Sequence, residues 1–74
     1  MMKVFYIYEG KIIGEGTLTH IPQVGNYVEF QTIDTIFKIT EIMFKTVLSG
    51  DVCVMIYVRH TFPEVEEKLR NYKR

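Results

Sequence analysis

Residues 52–59 read Val-Cys-Val-Met-Ile-Tyr-Val-Arg. Val52, Val54, Ile56 and Val58 fall on one side of a strand; Cys53, Met55 and Tyr57 fall on the other. A strand apolar on both sides cannot leave a face in water: one face fills a core and the other has to be covered. A chain of 74 residues holds only one domain, and a domain of that size buries about 60% of the surface its unfolded chain exposes. Covalent and metal staples are out of reach. Cys53 is the only cysteine, and with His20 and His60 it cannot make up four zinc ligands. Stability has to come from a dense aromatic core or from self-association; five Phe and five Tyr serve the first and permit the second.

The rest of the chain divides into short runs rich in Val, Ile, Phe, Tyr and Thr, separated by turn residues, which indicates β-structure. Residues 3–8 form the first run, and Glu9-Gly10-Lys11 the turn after it. Residues 12–20 form the second, where Gly14 and Gly16 mark a bulge or sharp bend. Residues 21–26 are a loop punctuated by Pro22 and Gly25. Residues 27–31 alternate, with Val28 and Phe30 on one face, and a turn at 32–34 leads into residues 35–46. There Phe37 and Ile39 have one parity and Ile42 and Phe44 the other. One extra residue near Thr40-Glu41 brings both pairs to the core face, so a β-bulge is expected there. On the first strand Phe5 and Ile7 are assigned to the core, which turns Tyr6 and Tyr8 outward.

The tail carries the one helical pattern. Pro63 suits a first helical position; Glu64, Glu66 and Glu67 lie near the positive end of the helix dipole, and Lys68, Arg70, Lys73 and Arg74 near the negative end. Val65, Leu69 and Tyr72 form one apolar stripe. A helix this short is marginal alone, so the stripe is expected to dock over Met55 and Tyr57, in its own chain or in a partner's. This divides the chain into a small barrel, 1–60, and a C-terminal helix, 61–74.

Chemistry-bearing groups are sparse. Nine basic and nine acidic residues cancel, which removes the electropositive footprint of a nucleic-acid binder. No apolar run reaches the ~18 residues of a membrane span, and no export signal is read at residues 1–6, so a cytoplasmic location is expected. His20 and His60 stand at strand ends without a carboxylate at ligand spacing. Cys53 reads as a buried, inert thiol. No P-loop, GxGxxG, HExxH, GxSxG or CxxC motif is present. The chain therefore reads as a non-enzyme, with no cofactor and no metal site.

The segment Ile21-Pro22-Gln23-Val24-Gly25-Asn26-Tyr27-Val28-Glu29-Phe30, followed by Phe37-Lys38-Ile39-Thr40-Glu41-Ile42, resembles a pattern of small SH3-like barrels of bacterial and phage origin. Their Pro-x-x-Gly-Asp-x-Val loop and strand lead into Tyr-x-Val-x-x-Val; here Asn26 stands for the Asp and Phe37 for the Tyr. The likeness covers about a third of the chain and implies a fold and phage-type company, with no catalytic residue. Pro22 stiffens the start of the loop, Gly25 allows the tight turn, and Val28 and Phe30 plug the barrel.

The expected fold is thus mainly β: a five-stranded antiparallel SH3-like barrel with a C-terminal helix, an OB-like barrel being the alternative. The expected function is a protein-binding accessory module of phage or mobile-element type acting on a host protein. Tyr6, Tyr8, Met55, Tyr57, Leu69 and Tyr72 are its interface candidates, and the chain is expected to form a homo-oligomer, a dimer in preference. The alternative is a small-ligand or nucleotide binder with its site between subunits and Lys38, Lys45 or Arg59 on a phosphate.

Overall fold

The structure is a computed structural model that describes residues 1–30, 35–46 and 48–72, the side chain of Tyr72 excepted. The expected turn at 32–34, and Lys73 and Arg74 of the helix end, lie outside the described residues. The strands are β1 (Met2–Tyr8), β2 (Lys11–Leu18), β3 (Tyr27–Phe30), β4 (Thr35–Thr46) and β5 (Val52–His60), followed by helix α1 (Pro63–Tyr72). They form one sheet in the order β2-β1-β5-β4-β3, curled into a half-barrel.

The doubly apolar strand takes the central place its sequence demands. β5 has β1 on one side and β4 on the other. Val54, Ile56 and Val58 are buried on the concave face, where Val4, Phe37 and Ile39 complete the core. Cys53, Met55 and Tyr57 lie on the convex face, half-buried. The expectation of an antiparallel sheet is corrected here: β1 and β5 run parallel, with Lys3 opposite Cys53 and Ile7 opposite Tyr57, so the sheet is mixed. Parallel neighbours cannot share a tight turn, and no local turn in the sequence announces this pair.

Local chemistry sets the remaining joints. Glu9 (φ 49°) and Gly10 (φ 78°) both take positive φ and join paired Tyr8 and Lys11, the pattern of a two-residue type I′ hairpin. Ile7 pairs with Ile12 and Tyr6 with Gly14, so Ile13 is the extra residue of a bulge beside Gly14. Gly25 (φ 97°) closes a turn in which the Asn26 amide donates to the Gln23 carbonyl at 3.0 Å. The loop is then tied to β4: the Gly25 amide donates to the Ile39 carbonyl at 2.8 Å, and the Ile39 amide donates to the Asn26 carbonyl at 2.9 Å.

The β4 bulge falls where the parity switch places it. Ile39 pairs with Val58 and Glu41 with Tyr57, leaving Thr40 as the additional residue. Its hydroxyl donates to the Tyr57 carbonyl at 3.2 Å, supplying a partner where the ladder is interrupted. Phe37 and Ile39 are buried, and Ile42 packs against the core. Phe44 does not: it is 58% exposed, although it stands opposite buried Val54 of β5.

The helix docks in its own chain, and not on Met55 and Tyr57. The Thr61 hydroxyl donates to the Ile36 carbonyl at 3.1 Å, which turns the chain over the convex side of β3 and β4. The Phe62 carbonyl accepts the first helical hydrogen bond, from Glu66, at 3.0 Å, and Pro63 follows at the position where its missing N–H costs nothing. Leu69 lies over Tyr27, Glu29 and Ile36. Arg70 bonds Glu66 at 2.8 Å and reaches Glu29 of β3 at 3.6 Å.

Curling brings the sheet's two edge strands together. A Cβ on Gly14 of β2 meets the Phe30 ring of β3 at 2.9 Å, and that ring is itself held edge-on between Tyr6 and Phe37. Gly14→Val should therefore cost about 1–3 kcal/mol through overpacking. Gly16→Ala, where nothing lies within 4 Å, should stay within about 0.5 kcal/mol; urea denaturation of both checks the contrast. Leu69→Ala should cost about 1–2 kcal/mol, less than a fully enclosed leucine. Leu69→Asp should destabilise without changing the molecular mass in solution, which light scattering measures.

Candidate functional site

The registers of the paired strands lay out the convex face as rows. One row runs Met43, Met55, Phe5, Glu15 across β4, β5, β1 and β2. On one side of it lies Lys45, Cys53, Lys3, Thr17, and on the other Glu41, Tyr57, Ile7, Ile12. The middle of this face is apolar over two rows. Met43 is 51% and Ile12 60% exposed, while Phe5, Met55 and Tyr57 are half-buried. Phe5, Ile12, Lys45, Cys53 and Met55 line an open depression of about 190 Å³, and the Lys3 ammonium sits 5.3 Å from the Phe5 ring centre. The helix lies elsewhere, so this apolar surface faces solvent.

Of the residues singled out from sequence, Met55 and Tyr57 stand together in this surface. Tyr6 and Tyr8 do not, and the parity assigned to β1 is corrected. Val4 is fully buried and Met2, Tyr6 and Tyr8 pack against the core, so these residues face inward and Lys3, Phe5 and Ile7 outward. Leu69 serves helix docking, and the side chain of Tyr72 lies outside the described residues. Cys53 is partly exposed in the convex depression and not buried as expected. Phe5, Ile12 and Met43 were missed. Lys3 was the available sign, because a lysine sharing parity with Phe5 and Ile7 favours that set facing water.

Inside the curl, aromatic rings pack edge to face. Tyr6 and Phe30 centre 5.1 Å apart, Phe30 and Phe37 5.5 Å, and Tyr8 and Phe37 5.2 Å. The His60 ring sits 4.8 Å from Phe37 and 4.9 Å from Tyr8, which makes it an end plate of this cluster. Such pairs add about 0.5–1.5 kcal/mol beyond area burial. Burial pushes the Tyr6 hydroxyl above its ordinary pKa. Tyr8 is raised as well, by desolvation first and then by the charge and hydrogen bonding of Glu9.

The phosphate candidates separate. Lys38 and Arg59 are directly opposed across β4 and β5, next to Tyr27, whereas Lys45 is placed with Cys53 at the far side of the Met43–Met55 row. Tyr27, Lys38, Arg59, His60, Thr61, Phe62 and Val65 line a small cavity of about 70 Å³. Among the described residues no three His, Cys, Asp or Glu side chains are grouped to hold a metal ion, and no helix is long and apolar enough to cross a membrane. Compared with protein-family models, with curated proteins and with solved structures, the chain matches none.

The raised Tyr6 has a defined consequence for pH. The unfolded chain loses its tyrosine protons near pH 10 while folded Tyr6 holds on to its own, so the unfolded state binds fewer protons. Stability present below pH 10 is therefore lost as pH rises through the raised value. Denaturation midpoints measured from pH 8 to 11.5 should fall more steeply for the native chain than for Tyr6→Phe.

Proposed function

We propose that the chain is a non-enzymatic protein-binding module, of the kind that phage and mobile elements use as accessories against host proteins, with the convex apolar face as its contact surface. The observation that carries this reading is the pair of rows through Met43, Met55 and Phe5 and through Tyr57, Ile7 and Ile12, left uncovered by a helix that docks elsewhere. Apolar surface ringed by charge is what protein interfaces present. The kinship to SH3-like barrels belongs to the same proposal. Its support is the Pro22-to-Phe30 loop and strand, with Gly25 in a tight turn and Val28 and Phe30 packed on the core.

A second copy is the occupant this face fits. Lys45, Met43 and Glu41 follow one another along the outer side of β4. If two copies meet face to face about a two-fold axis lying along the Met43–Met55–Phe5 row, the rows on either side exchange. Lys45 of each copy then lies over Glu41 of the other, and the apolar row packs on itself. Within one chain these two residues are four apart on a strand, ~13 Å, too far to pair. The free protein masks its apolar face in this way, and a host protein binds by displacing the second copy.

The test is a charge exchange. Lys45→Glu and Glu41→Lys should each shift sedimentation toward monomer, because each places like charges opposite one another twice. Mixed in equal amounts, the two variants should form a heterodimer with both contacts restored. A wild-type chain that is monomeric at millimolar concentration, or variants that fail to pair when mixed, would overturn the self-docking arrangement. The binding-module reading fails separately, if Met55→Asp leaves every protein contact of the native chain intact.

A further inference from the structure

We propose that Lys38 and Arg59 form a site for a tetrahedral oxyanion, a phosphoryl group in particular. It rests on the small-ligand reading of these cations and is independent of the convex-face contact. The two side chains are directly opposed on neighbouring antiparallel strands, and like charges in that position repel. Among the described residues the ion pairs belong to Arg70, with Glu29 and Glu66, while Glu41, opposite Tyr57, and Glu29, opposite Ile36, lie one row away from the Lys38–Arg59 pair on the same face. An anion from outside that bridges the two directly would relieve the repulsion that these neighbouring acids leave.

The surroundings define what that anion is. The partly open cavity that they line has about 70 Å³ of accessible space. That admits the head of an oxyanion. The Arg59 guanidinium lies 5.7 Å from the Phe62 ring centre, a cation–π contact that limits its freedom and presets the planar donor fork. Lys38 supplies the point charge from the opposite strand. Tyr27, 42% exposed, and Phe62, 65% exposed, flank the opening. The hydroxyl of Thr61 is engaged with the Ile36 carbonyl, and His60 also lines the cavity; the two cations supply the fixed positive charge. The phosphoryl group is therefore held at the mouth of the cavity, and any ring it carries lies outside against Tyr27 or Phe62.

Inorganic phosphate and adenosine monophosphate distinguish free phosphate from a nucleotide. Amide shifts of the full chain, titrated at constant ionic strength, should saturate with inorganic phosphate at a Kd on the order of 1 mM, the largest changes falling at Thr61 and Val65. Arg59→Gln and Lys38→Gln should each raise that Kd at least tenfold, and Lys45→Gln should leave it unchanged. Equal Kd values for the two probes assign the site to the phosphoryl group alone; a Kd at least tenfold lower for adenosine monophosphate adds stacking on Tyr27 or Phe62. A titration that never saturates, an equal loss in Lys45→Gln, or unchanged binding in the Lys38→Gln/Arg59→Gln double variant overturns the proposal. None of these outcomes bears on the convex face.

Discussion

The pairing of β1 with β5 is the contact on which the rest of the molecule depends. A strand apolar on both faces has to be flanked on both edges, and β5 finds β1 on one side and β4 on the other. With β5 in the middle, β2 and β3 become the edges, and the eight residues between them have to pass from one edge to the other. The curl shortens that passage and places Gly14 against Phe30. Concave core, edge contact and convex surface are all consequences of seating one sequence segment at the centre.

The convex face is covered only in part by the elements described. Its single helix is ten residues long and is anchored at Thr61, immediately beyond β5. From there it covers Ile36, which is 2% exposed, and does not lie over Met43, Met55 and Phe5. Ile7 is buried between Ile12 and Tyr57 by its neighbours in the same row. The apolar surface that remains is the part that the described helix leaves uncovered.

Much of this arrangement was legible in the residues. Gly10 and Gly25 take the positive φ their turns require. The phase change between Ile39 and Ile42 places the β4 bulge, and Pro63 marks the helix start. These features are local, written within a few residues. The parallel β1–β5 pair was not legible, because it joins segments with no shared turn. The faces of β1 were ambiguous for another reason: Val4, Tyr6 and Tyr8 compete with Phe5 and Ile7, and either set can fill a core. Lys3, on the side of Phe5 and Ile7, and Gly14, opposite Tyr6, favour Val4, Tyr6 and Tyr8 inside. In the site, the pairing of Lys38 with Arg59 and the separation of Lys45 depend on register, which composition does not carry.

The β1–β5 register also governs when the sheet can assemble. Lys3 waits for Cys53 and Ile7 for Tyr57, partners fifty residues apart. At synthesis rates of about 5–20 residues per second, β1 and β2 exist as a hairpin for roughly 2–10 s before β5 is made. Two-stranded hairpins are marginal in water, and this one carries apolar residues on both faces of β1. Closing so long a loop late makes folding slow compared with that of chains built from local contacts. For that interval the hairpin's apolar faces and the free edge of β1 are open to chaperones and to premature pairing with other nascent strands.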